Sequence, residues 1–248
     1  MSPAARVVVH PAVLVVVHDV APRFRRPVLG SLLPAMLRRG FTVDILEARE
    51  LDGIDLAGTD LVCVTGSPDS VYDSSLDWVA PEREFLQRVD AAGIPVLGVC
   101  FGAQILADAL GGSVAPSSGP EHGFTLVETT RPELIAPGPW MESHHDTITA
   151  PPTAEVIART EHNVQAFTVG AHLGVQFHPE ITPECFLAWR EGFDRHGRDN
   201  SYDSEVDVPA MTAEIESRAT AAAADCDELF ERFLRHAGLG SDHRSFAP

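Results

Sequence analysis

The chain has 248 residues, and 36 acidic against 18 basic groups give it a formal charge of −18, which argues against a nucleic-acid partner because phosphate contacts need a basic face. Every basic residue is arginine, so neither a lysine Schiff base with pyridoxal phosphate nor a P-loop lysine is available. The length suits one substantial core at roughly 100–200 residues per domain. Four cysteines without paired close spacing point to a reducing, cytoplasmic setting, and no apolar run is long enough to span a membrane.

In chain order, residues 1–11 read as a ragged N-terminus. Val13-Leu14-Val15-Val16-Val17 is an all-apolar run of the kind buried in a parallel sheet, and the pattern from Pro27 to Arg39, closed by Gly40, predicts a helix. Phe41 to Leu46 and Leu61 to Val64 are the next strands, and a helix is expected around Pro81 to Ala92, stopped by Gly93. Strands alternating with helices imply an α/β fold, a doubly wound and mostly parallel sheet flanked by helices. Beyond Phe124 the spacing shortens to Phe124 to Val127, Val156 to Ala158 and Val164 to Val169, a smaller part expected to be antiparallel. The domain at 12–193 is followed by a polar loop and a C-terminal helix, 194–248, expected to pack on it.

The chemistry concentrates in two segments. Gly98-Val99-Cys100-Phe101-Gly102-Ala103-Gln104 follows the apolar run Ile94 to Leu97 and precedes a helical pattern. That places a thiol at a strand-to-helix elbow, where a strained backbone exposes the side chain and flanking glycines let strand and helix approach. The helix N-terminus favours thiolate over thiol. Cys63, Cys185 and Cys226 lack that setting and read as buried small residues. The second segment is Gln176-Phe177-His178-Pro179-Glu180, preceded by alternation that predicts a strand ending at His178. Residues two apart in an extended chain share a side, so Glu180 can reach His178, hold its tautomer and stabilise its imidazolium.

Together these segments resemble the paired signatures of class I, triad-type glutamine amidotransferases. Thr65-Gly66-Ser67-Pro68 resembles the oxyanion loop of that family, and Ser143-His144-His145-Asp146 resembles a segment of its stand-alone, GMP synthase-like branch. The resemblance implies the flavodoxin-like fold of the family and a Cys100, His178, Glu180 triad. It also implies an oxyanion hole from the Gly66-Ser67 turn and Phe101, and substrate contacts from Gln104, Ser143 and His144. The implied reaction releases ammonia from L-glutamine through a γ-glutamyl thioester and passes it to a separate acceptor enzyme, with no cofactor. Ser67 stands where the family loop commonly has a second glycine, which leaves open a γ-glutamyl hydrolase or peptidase acting on a conjugate. A metal is not expected, because adjacent His144 and His145 on a strand would face opposite ways.

Overall fold

The computed structural model describes residues 11–192 and 206–240. Its main sheet has eight strands in the order β2-β1-β3-β4-β10-β9-β8-β6. Here β1 is Ala12–Val17, β2 Thr42–Glu47, β3 Leu61–Val64, β4 Val96–Val99, β6 Glu128–Thr129, β8 Glu155–Arg159, β9 Val164–Val169 and β10 His172–Val175. From β2 to β10 all neighbours are parallel, whereas β10-β9-β8-β6 is antiparallel. The doubly wound, mostly parallel sheet with a smaller antiparallel part is therefore present. A separate antiparallel pair joins β5, Ser113–Thr125, to β7, Trp140–Thr149.

The apolar run of β1 shows why the sheet is central. Val13, Val15 and Val17 face one hydrophobic cluster and Leu14 and Val16 the other, as the period of two requires when both faces are covered. One side is closed by α1 (Leu32–Arg38), α4 (Pro183–Gly192) and α5 (Val208–His236), through Leu32, Met36, Ala188, Phe230 and Phe233. The other is closed by α2 (Val79–Ala91) and α3 (Phe101–Ala109), through Phe85, Leu86, Ile105 and Leu106. Helix α5 begins where the Asp207 side chain accepts the Ala210 N–H, an N-cap. It is tied to the end of α1 by Arg39, which donates to Asp227 and Glu231. Among the described residues no helix is long and apolar enough to cross a membrane.

Three expectations change. The helix expected from Pro27 to Arg39 is divided into a 3-10 turn, Pro27–Leu29, and α1. Gly30 between them adopts φ +42 and lies so close to the Glu180 carbonyl that a Cβ would overlap it. The strand expected at Phe124 to Val127 is only the end of the much longer β5, which stops at Thr125. The strand before His178 stops at Val175; Gln176 N–H still bonds Gln165 O and His178 N–H bonds Met141 O at 2.7 Å, so the backbone crosses toward β7. The polar stretch expected from Asp194 lies largely outside the described residues.

Candidate functional site

Three adjacent parallel strands end at one place: β3 runs into Gly66, β4 into Cys100, and β10 into the segment carrying His178. Carboxyl ends of parallel strands are where open α/β sheets bind ligands. Cys100 is the N-cap of α3 with φ 53 and ψ −110, a conformation costly for a residue with a Cβ. Its N–H bonds Val175 O at 2.8 Å, locking the elbow to β10. The flanking glycines are needed sterically. A Cβ on Gly98 would lie 2.5 Å from Gly102 O, and one on Gly102 would be closer still to Val64 O, inside any tolerable contact.

His178 and Glu180 are both buried, and His178 Nδ1 lies 2.8 Å from Glu180 Oε1. Burial by itself would lower the His178 pKa, but the Glu180 carboxylate and the Cys100 sulfur hold it well above the ordinary value. The Trp189 ring packs on the imidazole with centroids 4.4 Å apart. Gly66 closes the third side: a Cβ there would stand 3.0 Å from His178 Cε1 and 3.6 Å from Cys100 Cβ. A thiol at a helix N-terminus, an imidazole backed by a carboxylate, and the Gly66 turn thus converge. Such a set can attack a carbonyl carbon, move the proton and receive the oxyanion.

The remaining predicted residues are placed differently. Gln104 is buried and donates to Gln176 Oε1 at 3.1 Å, while Gln176 Nε2 donates to Cys100 Sγ at 3.5 Å. Gln104 therefore reaches the sulfur through Gln176, a residue with no assigned role in the sequence reading although it shares a face with His178. Ser143 meets the thiol through its backbone, its carbonyl oxygen lying 3.9 Å from Cys100 Sγ. The His144 side chain turns into the protein: Nδ1 donates to Asp146 O at 2.9 Å, and Nε2 lies 3.1 Å from Glu121 and 3.2 Å from Glu142. Burial alone would lower its pKa; the two carboxylates outweigh it and carry it up to about 10. Burial would raise Glu121, but His144 and hydrogen bonds from Thr160 and Asn163 hold it below its ordinary value, whereas burial pushes Glu142 up.

Glu121, Glu142 and His144 bring potential metal-ligand atoms within 4.8 Å of one another, an arrangement that spacing along the sequence could not show. Asn163 and Gln165 already donate to the same Glu121 oxygen that faces His144, at 2.8 and 2.6 Å. That oxygen therefore already has hydrogen donors. Asp146 accepts from Ser70 Oγ and Tyr72 OH, each at 2.7 Å, binding the loop after Gly66 to β7. Burial raises the pKa of the Cys63, Cys185 and Cys226 thiols, leaving each without the setting of a nucleophile.

Residues 27–186 match the family model described as glutamine amidotransferase class-I. The GMP synthase [glutamine-hydrolyzing] of Thermomicrobium roseum is 41% identical over 168 residues, which cover 63% of this chain and 31% of that protein. The protein of the same name from Thermus thermophilus is 34% identical over 173 residues, covering 63% and 32%. The chain thus spans about a third of the length of these relatives. Among solved structures, a glutamine amidotransferase from Thermotoga maritima superposes with a TM-score of 0.77 at 23% identity, covering 91% of this chain and 98% of its own. One from Methylobacillus flagellatus gives 0.72 at 20% identity, covering 92% and 94%. These two show the shared fold, and the family match extends over more than half of the sequence: the chain belongs to the class I glutamine amidotransferases.

Proposed function

We propose that the chain hydrolyses L-glutamine to glutamate and ammonia through a γ-glutamyl thioester on Cys100, and that the ammonia passes to a separate acceptor enzyme. The observation that carries this reading is Cys100, with φ 53, at the start of α3, beside a buried His178 that Glu180 orients. The Cys100 sulfur attacks the side-chain carbonyl carbon. The oxyanion is received by backbone N–H groups of the Gly66-Ser67 turn and Phe101. Collapse breaks the C–N bond as His178 gives its proton to the departing ammonia. His178 then takes a proton from water, which attacks the thioester and frees glutamate and the thiolate. A cytoplasmic setting fits a chemistry that needs a reduced cysteine.

The experiment is glutamate release from glutamine by the chain and by Cys100→Ala, with folding checked by circular dichroism. Loss of about 10³-fold or more in the variant supports the reading; retention of more than about a few per cent by a folded variant contradicts it. A second reading, removal of glutamate from a γ-glutamyl conjugate, is favoured by Ser67, whose hydroxyl accepts the Asp69 N–H at 3.2 Å and so shapes this loop differently from a glycine. A panel of γ-glutamyl amides separates the two. Fast turnover of a conjugate with glutamine a poor substrate replaces the first reading by the second.

A further inference from the structure

Behind the Gly66 turn lies a pair of buried charged side chains that the reaction above leaves unused. His18 follows β1, the strand next to β3, so it emerges beside Gly66 at the same end of the sheet. Both His18 and Glu82, from the first turn of α2, have no solvent exposure. His18 Nε2 lies 3.0 and 3.2 Å from the two Glu82 oxygens, and Nδ1 lies 3.2 Å from Gly66 O. The ring is held by Phe101 and Trp78, with centroids 4.8 and 5.1 Å away. Burying a carboxylate and an imidazole is costly, and the sheet and helices could be packed at this point with apolar side chains.

The geometry has one direct consequence. A carbonyl oxygen can only accept, so the nitrogen facing Gly66 O must carry a hydrogen. The Gly66 carbonyl belongs to the same peptide unit as the Ser67 N–H, and in this trans peptide the two point in opposite directions. Fixing the carbonyl toward His18 therefore fixes the Ser67 N–H away from it. The same hydrogen bond polarises the amide and makes its N–H a better donor. His18 also packs on Phe101, whose own N–H opens α3. We infer that His18, held by Glu82, is a positioning residue for the oxyanion hole: it clamps the Gly66–Ser67 peptide so that the Ser67 N–H faces the oxygen that becomes the oxyanion when Cys100 attacks. Burial opposes a charge on His18, and Glu82 together with Gly66 O more than offsets it, raising the pKa of the ring. This agrees with a proton on both nitrogens. The inference rests on the proposed Cys100 reaction for its kinetic effect, while the peptide orientation stands apart from it.

The test combines His18→Phe/Glu82→Leu, which keeps the pocket filled and strands no charge, with three readouts. Removal of an oxyanion donor costs about 10²–10³-fold in kcat, and loss of its clamp is expected to cost about 10–100-fold with KM for glutamine changed less than about threefold. Alkylation of Cys100 by iodoacetamide, which forms no oxyanion, should proceed at the wild-type rate. A crystal structure of the variant should show the Gly66–Ser67 peptide rotated. An unrotated peptide, a kcat within about twofold of wild type, or an equal fall in alkylation, which would locate the damage at the thiol, overturns the inference. Imidazole NMR of the wild-type chain is a safeguard should the variant fail to fold: a slowly exchanging Nδ1–H on His18 is expected, and an unprotonated Nδ1 overturns the inference. If the wild-type chain released no glutamate, the reaction would be wrong, and the NMR signal and peptide orientation would still decide the role of His18.

Discussion

His178 does two jobs that its two neighbours divide. In the proposed reaction it moves the proton beside Cys100, while the 2.8 Å contact with Glu180 orients the ring. His178→Ala is therefore expected to lower glutamine hydrolysis by about 10⁴-fold or more, and Glu180→Gln by less, because the carboxylate orients and stabilises without itself exchanging the proton. Steady-state kinetics at neutral pH give the comparison. A costlier Glu180→Gln would mean direct acid–base work by the glutamate. His144 permits a test of stability. Its pKa rises from 6.5 to about 10 in the folded chain, so its contribution is complete below pH 6.5 and is lost progressively as pH climbs toward 10, by at most about 1.4 kcal/mol per pH unit. In urea unfolding the gap between the chain and His144→Gln should shrink across that range, and a gap independent of pH would contradict the charged pair. Cys100 and His178 were legible because their neighbours in sequence are diagnostic. Glu121, some twenty residues before His144, was not, since nothing local marks a half-buried partner supplied by the facing strand.

The elbow joining β4 to α3 shows how an element can specify a site through what it lacks. Both flanking glycines leave room for backbone, not side chains: Gly98 against Gly102 O, and Gly102 against Val64 O. Gly102→Ala is expected to destabilise the fold by about 1–3 kcal/mol, toward the upper end because the obstacle is main chain that cannot rotate away. Denaturant unfolding measures this, and a stability change within about 0.5 kcal/mol would refute so tight an approach. This element could be read from Gly-x-Cys-x-Gly because the constraint is local. The hairpin of β5 and β7 could not, since Ser113 to Glu121 carries serine, proline and glycine in the proportions of a loop and becomes a strand only by pairing with Trp140–Thr149. The break at Gly30 was hidden for a similar reason. Apolar periodicity runs through it, and the contact that forces the turn, with Glu180 O, comes from far along the chain.

At the scale of the molecule, four neighbouring strands of one sheet end on His18, Gly66, Cys100 and the approach to His178, and helices on both faces hold those ends in register. The fold class was legible because alternating buried strands and amphipathic helices leave few arrangements. Strand order and the packing of α5 on α1 were not, because they depend on contacts between segments as distant as Arg39 and Asp227. That ion pair draws the Asp227 pKa down to about 2. The loop after Gly66 is held to β7 by Ser70, Tyr72 and Asp146, and under the proposed function it is the segment through which the acceptor enzyme acts on the site. The isolated chain is expected to hydrolyse glutamine slowly and to be accelerated by that enzyme, as measured by glutamate release with and without it; an unchanged rate in a formed complex would contradict this coupling. The kinetic expectations depend on one covalent event. The most direct test is mass spectrometry of the intact and digested chain after exposure to 6-diazo-5-oxo-L-norleucine, a glutamine-like electrophile. A single adduct on Cys100 is the result expected, and an adduct on Cys63, Cys185 or Cys226 in its place, or none at all, would contradict Cys100 as the nucleophile.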